Sequence, residues 1–532
     1  MSMNDPIARG LASGWNVVDA RKLTQNQTVE ADVVVIGTGA GGGTTAEILS
    51  KQGLSIILVE EGGLYYQKDF KMDEQTAYAT LYQEGMSRTT ADGAISILQG
   101  RCVGGSTTVN WTSSFRTPDQ TLNYWSQKFG LEGFAPDVMA PWFQGREERH
   151  NMAPWMTPPN LNNDILRQGC DALGYSWKTI PRNVNGCWNS GYCGVGCPTN
   201  AKLGSLMTTI PGALDNQAQM FHGLRAERLV MKQDRIDHLQ ATAMGSDGVT
   251  PSGVTVTLKA NHFVVAASAI GSPGLLLRSD LPDPHNRVGK RSFIHPVSAT
   301  VARMPAKVEP FYGAPQSIYS DEFNFKNGHD GPIGYKLEVP PLHPGMAAGV
   351  VPGHGQQQRD NLGQLPWLQS VIALLRDGFH PESPGGTVSL RDDGSPALDY
   401  PMTDYLWKGI RQSYLDMAEI QFAAGAEAVQ AIHMDAAWHT SWKEAKAAIN
   451  ELPMKPHRAR IFTAHQMGGC GMGSNPEESV VNGFGEHHHV ANLSIHDASI
   501  FPTSIGANPQ LSVYALAARN SVRLAQKLAA KS

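Results

Sequence analysis

Continuous apolar runs, helix-period stretches and glycine-rich breaks succeed one another along the chain in an order that predicts an α/β fold. Val33-Val34-Val35-Ile36 is unbroken and β-branched, as a central parallel strand buried on both faces requires. Gly37-Thr38-Gly39-Ala40-Gly41-Gly42 follows it, then a helix-forming stretch at 44–52 and a second apolar strand at 55–59 that leads into Glu60. Residues 224–258 are strand-rich, and 263–270 read as a buried strand running into a small-residue turn that closes at Pro273. Residues 386–400 have the pattern of a short hairpin, and 403–432 that of a long amphipathic helix. Two stretches resist such a reading. Residues 125–196 have no strong periodicity. Residues 339–365 are dense in Pro, Gly, Gln and His, which predicts a long irregular loop, either a binding lid or a mobile surface segment.

The strand, turn, helix, strand unit at 31–63 carries the first chemistry. Its turn meets the G-x-G-x-x-G pattern, whose glycines allow a tight turn and close approach of the backbone to a pyrophosphate at the helix N-terminus. Glu60, about 20 residues on, suits the ribose hydroxyls. At 532 residues the chain has room for two interleaved domains of unequal size. A net charge of -5 with scattered Lys and Arg leaves no basic stripe for a row of phosphates, so a small molecule is expected as partner and nucleic acid is not. The first 20 residues lack the apolar core, about 7–15 residues long, of a secretory signal, and no apolar run approaches the roughly 18 residues that cross a bilayer. A cytoplasmic enzyme is expected, with peripheral membrane contact left open.

Four separated stations resemble the glucose-methanol-choline oxidoreductase family. The first is the dinucleotide unit ending in Val59-Glu60-Glu61-Gly62-Gly63. The second is Gly100-Arg101-Cys102-Val103-Gly104-Gly105-Ser106, continuing through Asn110, Trp111 and Thr112. The third runs from Ala267 through Gly271-Ser272-Pro273. The fourth joins His465-Gln466-Met467-Gly468-Gly469-Cys470 to Asn492-Leu493-Ser494-Ile495-His496-Asp497-Ala498 and to Gly506-Ala507-Asn508-Pro509. Within the family the likeness is greatest to bacterial members akin to long-chain alcohol oxidases and cholesterol oxidases. The resemblance implies a Rossmann-like FAD-binding domain assembled from residues 28–120, 200–300 and 455–532, and a discontinuous α+β substrate domain from 121–199 and 301–454. It implies FAD contacts from Gly37, Thr38, Gly39, Gly42 and Glu60, from Arg101, Gly104, Gly105, Ser106, Asn110, Trp111 and Thr112, and from Ala267, Gly271, Asp497, Ala498 and Pro509. Some relatives attach FAD through a histidine of the second station; residues 100–112 contain none, so FAD is expected to be noncovalent, with Cys102 the one thiol in that loop.

The implied reaction is oxidation of an alcohol to a carbonyl, with oxygen, a quinone or another carrier reoxidising the flavin. His465 is then the base that takes the hydroxyl proton while hydride passes to flavin N5, and Asn508 donates to the substrate oxygen. His295, before Pro296, resembles a His-Pro element near the substrate chamber and also fits a satisfied core histidine. Chamber walls are expected from 312–335 and 339–365, whose aromatic and apolar residues favour a bulky or apolar alcohol. The run His487-His488-His489 has the composition of a metal tract but falls where the family has a surface turn. Cys187, Cys193 and Cys197 in a Gly-rich loop suit an iron-sulfur cluster or, with Lys202 following as in alcohol-oxidase-like members, packed thiols. The alternatives that stay open are a cluster-bearing sugar or polyol dehydrogenase serving a cytochrome and a flavin-dependent lyase.

Overall fold

Two eight-stranded sheets organise the chain in the computed structural model, which describes residues 5–530. The first is built around β1 (Gln27–Ile36), joined through helix α1 (Ala40–Lys51) to β2 (Ile56–Glu60). On its other side β1 pairs with the long strand β3 (Pro251–Val265), which leads into helix α2 (Ser268–Arg278). These pairings are parallel, as is that of Leu493–Ile495 with β3, whereas Leu224–Lys232 and Arg235–Met244 extend the sheet in antiparallel fashion. Alternation along the strands fills two cores. Val33, Val35, Leu58 and Val264 face one, while Val34, Ile36, Val59 and Val265 face the other, which is why β1 had to be apolar throughout.

The register then places the site. Ile36 pairs with Val59 and with Val265, and Val265 pairs with Ile495, so four parallel strands end within one residue of the same rung. The turns that follow them therefore lie side by side at the carboxyl edge of the sheet, where open α/β sheets bind ligands.

The second sheet runs along β4 (Val297–Arg303), β5 (Tyr335–Glu338) and β6 (Leu368–Leu375), with β6 between the other two. Ile95–Ile97 and Ile461–Thr463 join it from segments otherwise close to the first sheet, and Ala428–Ala431 pairs with β4. Ala302, Val371, Ala373 and Leu375 pack on one face against Ile410, Tyr414 and Met417 of the helix Asp404–Ala423. Val297, Ala299, Val301, Ile372 and Leu374 occupy the other face.

Several elements differ from their sequence pattern. Strand β3 stops at Val265, and the small-residue stretch expected as a turn starts helix α2, entered through Ser268 at φ 77°. The helix expected over 403–432 ends at Ala423 because Gly425 turns the chain at φ 89°, and 428–431 become a strand. Residues 339–365 are not an irregular loop: they form α3 (Pro344–Val350) and Gln356–Gly363. Pro344 fits the first turn of α3, and the Glu74 carboxylate accepts from Gly345 N at 2.6 Å and Met346 N at 2.9 Å, supplying a cap that no local residue provides. The stretch without periodicity holds the helices Asp119–Phe129, Pro136–Arg149 and Leu161–Leu173. The last of these buries Asn162, Asn163 and Gly169 beside its apolar residues, which blurs the stripe in the sequence. No helix among the described residues is long and apolar enough to cross a membrane, and the first four residues of the N-terminal stretch lie outside them.

Candidate active site

A cavity of about 1520 Å³ opens along the shared strand ends and continues over the apolar face of the second sheet. Gly37, Thr38, Gly39 and Glu60 line it, as do Arg101, Gly105, Ser106, Asn110, Trp111 and Thr112. So do Ala267, Gly271, Asp497, Ala498 and Pro509, together with His465 and Asn508. Gly42 and Gly104 do not face it. A Cβ on Gly42 would stand 1.9 Å from Gly37 O, and one on Gly104 2.4 Å from Thr108 Oγ1, so both glycines serve close packing behind the wall.

The glycine turn is shaped for a ligand. Helix α1 begins at Gly39 with no side-chain cap, leaving its first N–H groups without intrahelical acceptors. A Cβ on Gly39 would meet nothing within 4 Å and would project into free space. Glu60 is buried and accepts from Thr38 Oγ1 at 2.5 Å and from Gly62 N at 2.9 Å; burial raises its carboxyl above the usual range. Thr38 Oγ1 in turn accepts from Gly104 N at 3.0 Å, which ties the second station to the first. Arg101 is held by Glu61 at 2.8 Å and by Gly248 O. Asp497 accepts from Ser268 N at 2.8 Å and Ser499 N at 2.8 Å, fixing the fourth station against the start of α2.

At the other end, His465 sits between the short strands Ile461–Thr463 and Gln466–Gly468, and its Nδ1 lies 3.0 Å from Nδ1 of His295. His295 is buried, and Gly506 N donates to its Nε2 at 3.2 Å. A neutral His295 accepting at Nε2 carries its proton on Nδ1 and donates it to His465. Burial pulls His465 down to about 4 and His295 well below the ordinary imidazole value, so both rings are neutral at physiological pH. Asn508 Nδ2 donates to Glu338 Oε2 at 3.1 Å, and that oxygen also accepts from Gln316 Nε2 at 2.7 Å. Asn508 Oδ1 and Glu338 Oε1 are buried and lack partners among the described residues. Burial pushes Glu338 up to about 7, against the opposing charge of Lys336. Glu338 is the residue the sequence did not disclose. Its alternation with Lys336 along β5 reads as a solvated strand face, yet both side chains point inward.

Other expected residues fall outside the site. Of 312–335 only Gln316 reaches the cavity, while Tyr312 is exposed; the walls come instead from β4 and β6, with the roof from α3. Cys187, Cys193 and Cys197 are half-buried free thiols, and no three His, Cys, Asp or Glu side chains among the described residues are gathered as a metal-holding group, the His487–His489 run included. The cysteine loop braces the cavity wall. Lys202, buried, donates to the carbonyls of Thr108, Asn110 and Cys193, and Tyr82 Oη donates to Gly194 O at 2.7 Å. Within the run of three, His487 is buried and accepts from His489 N, and His488 Nε2 pairs with Ser479 Oγ.

The N-terminal and C-terminal family models of GMC oxidoreductases match residues 78–297 and 381–517. The chain belongs to the GMC oxidoreductase family. An uncharacterized GMC-type oxidoreductase of Mycobacterium tuberculosis is 30% identical over 92% of this chain and 74% of its own length. A long-chain-alcohol oxidase of Arabidopsis thaliana is 29% identical over 97% of this chain and 72% of its own. Among solved structures, pyridoxine 4-oxidase superposes with a TM-score of 0.65 at 16% identity, covering 92% of this chain and 98% of that one. A formate oxidase variant of Aspergillus oryzae gives 0.68 at 14%, covering 95% and 100%. This GMC oxidoreductase is thus an enzyme with the α/β fold of those oxidases.

Two glycines of its first turn are expected to respond differently to alanine. Gly42→Ala should lower the urea midpoint through a stability loss of about 1–3 kcal/mol from overpacking, because backbone atoms stand where its Cβ would go, while Gly39→Ala should leave the midpoint unchanged. Equal midpoints for the two variants would contradict this packing.

Proposed function

We propose that this enzyme oxidises an alcohol to a carbonyl with noncovalent FAD, and that His465 and Asn508 hold the reacting hydroxyl. What carries the proposal is that both side chains line the same cavity as the uncapped glycine turn. Relatives named long-chain-alcohol oxidases and an FAD-dependent oxidoreductase from Chaetomium thermophilum among the solved neighbours support it. The FAD-binding part comprises 28–120, 200–300 and 455–532, and the substrate part 121–199 and 301–454. The α1 N-terminus and Gly37–Gly39 receive the pyrophosphate, Glu60 the ribose, and the loop from Arg101 to Thr112 the ring system. When bound, FAD supplies the hydride acceptor. Noncovalent attachment is supported by the lack of histidine in 100–112 and by Cys102, which is fully buried away from the cavity, its thiol pushed up to about 12 by burial.

Two assignments of the proton differ. In the first, His465 takes the hydroxyl proton at Nε2, which requires its own proton to sit on Nδ1. The hydrogen bonds around His295 favour the second: His465 receives at Nδ1, presents Nε2–H to the substrate oxygen, and leaves the base role to Glu338. Asn508, whose Nδ2 is committed to Glu338, then holds that carboxylate in place instead of donating to the hydroxyl, whose one proton goes to Glu338. A carboxylate near 7 is also better matched to neutral pH than an imidazole near 4.

Mixed anaerobically with an alcohol, the yellow enzyme should bleach; product without bleaching would mark a lyase instead. His465→Ala should keep FAD and lose the bleaching rate by on the order of 10²–10⁴. Asn508→Ala should lose less, about 1–3 kcal/mol for one polar partner. A His465→Ala enzyme that bleaches at the wild-type rate would remove His465 from the chemistry. In the pH profile of bleaching, a His465 base gives a rate that rises through about pH 4 and is flat at neutrality, whereas a Glu338 base gives a rise through about pH 7 as the carboxyl ionises. In Glu338→Gln the limb near 7 should vanish; its persistence there would remove Glu338 from the base role. Acid precipitation should release the yellow colour to the supernatant, and colour in the pellet would contradict noncovalent FAD.

A further inference from the structure

The chamber floor beyond His465 is a strip of sheet whose register is fully specified. Val297 pairs with Leu374, Ala299 with Ile372, and Val301 with Ser370, and all six line the cavity. Val297 also pairs with Phe462, three residues before His465, so the first of these rungs lies nearest the hydroxyl-binding end. Val301 is four residues further along β4, about 13 Å at the rise of a strand. Thr300 and Ala302 alternate to the opposite side. The roof over the strip includes Leu342, Met346 and Val351, which are apolar too. Five of the six floor side chains and these three roof side chains are apolar, Ser370 being the exception, which suits an extended alkyl chain.

One position breaks the strip's otherwise bulky β4 side. Ala299 carries the smallest side chain of the six, at the middle rung between Val297 and Val301. Its backbone cannot yield: β6 pairs with it on one side, and on the other Ile432 N donates to Ala299 O at 2.9 Å. A larger side chain there must grow into the chamber.

We propose that Ala299 determines specificity by setting the length of alkyl chain that the chamber accepts, a role that rests on the alcohol-oxidising function proposed above. Chains that end before the middle rung do not meet position 299; longer ones must pass over it.

The test compares hexanol with hexadecanol in the wild type, Ala299→Val and Ala299→Phe, each shown by its flavin absorbance and unfolding midpoint to be folded. Ala299→Phe should keep most of the hexanol rate and lose hexadecanol kcat/KM by about tenfold or more, with Ala299→Val intermediate. Equal losses on both alcohols, or an unchanged hexadecanol value in Ala299→Phe, would overturn the proposal. Binding of radiolabelled hexadecane, which has no hydroxyl to oxidise, is measured in parallel. If the wild type oxidises neither alcohol, the proposed reaction fails, and the assignment of Ala299 is decided by the alkane alone: binding lost in Ala299→Phe upholds it, and equal binding overturns it.

Discussion

Backbone crowding at one turn holds the two ends of this chain together. A Cβ on Gly41 would lie 1.7 Å from His496 O, and one on Gly37 2.2 Å from Ala266 O, so no side chain larger than hydrogen is compatible with the approach of these segments. That contact seats the first turn of α1 against the segment after Leu493–Ile495 and the one after β3. From there Asp497 pins the start of α2, and the chain continues through Gly506 to Asn508. The glycine turn and the pair His465 and Asn508 thus share a wall because peptide groups touch.

The second sheet supplies what the first cannot, a dry surface. His465, His295 and Glu338, concealed beside it, are strongly perturbed. Removal from water disfavours charge of either sign, so it lowers the histidines and raises Glu338, moving acid and base ranges toward and past one another. The result is a set of groups that are neutral, or close to it, at physiological pH and linked by directional hydrogen bonds.

Much of this was legible in the sequence where local chemistry dictates structure. The β-branched run at 33–36 and the glycines after it announce β1 and α1 unaided, and the four motif stations carry the glycine turn, His465 and Asn508 to the cavity. What stayed hidden depends on contacts distant in sequence. Helix α3 relies on Glu74, some 270 residues away, for its cap. Glu338 looks solvated because a strand shows which residues share a face but not which way that face turns. The tautomer of His295 is set by a peptide N–H of Gly506, to which no residue-level pattern refers. The walls from β4 and β6 escaped for the same reason: ordinary apolar strands become a chamber only by pairing.

The roof and floor of the chamber are fastened to different things. The floor strands pair with each other along their length and with neighbours on their outer sides, whereas α3 is held by the Glu74 carboxylate at one end and by Arg460, which donates to Gly349 O, at the other. Floor and roof are therefore fixed independently of each other. The rungs set the shape of one, and two charged side chains from elsewhere in the chain carry the other, so a change at Glu74 or Arg460 bears on the footing of α3 and leaves the strand ladder as it is.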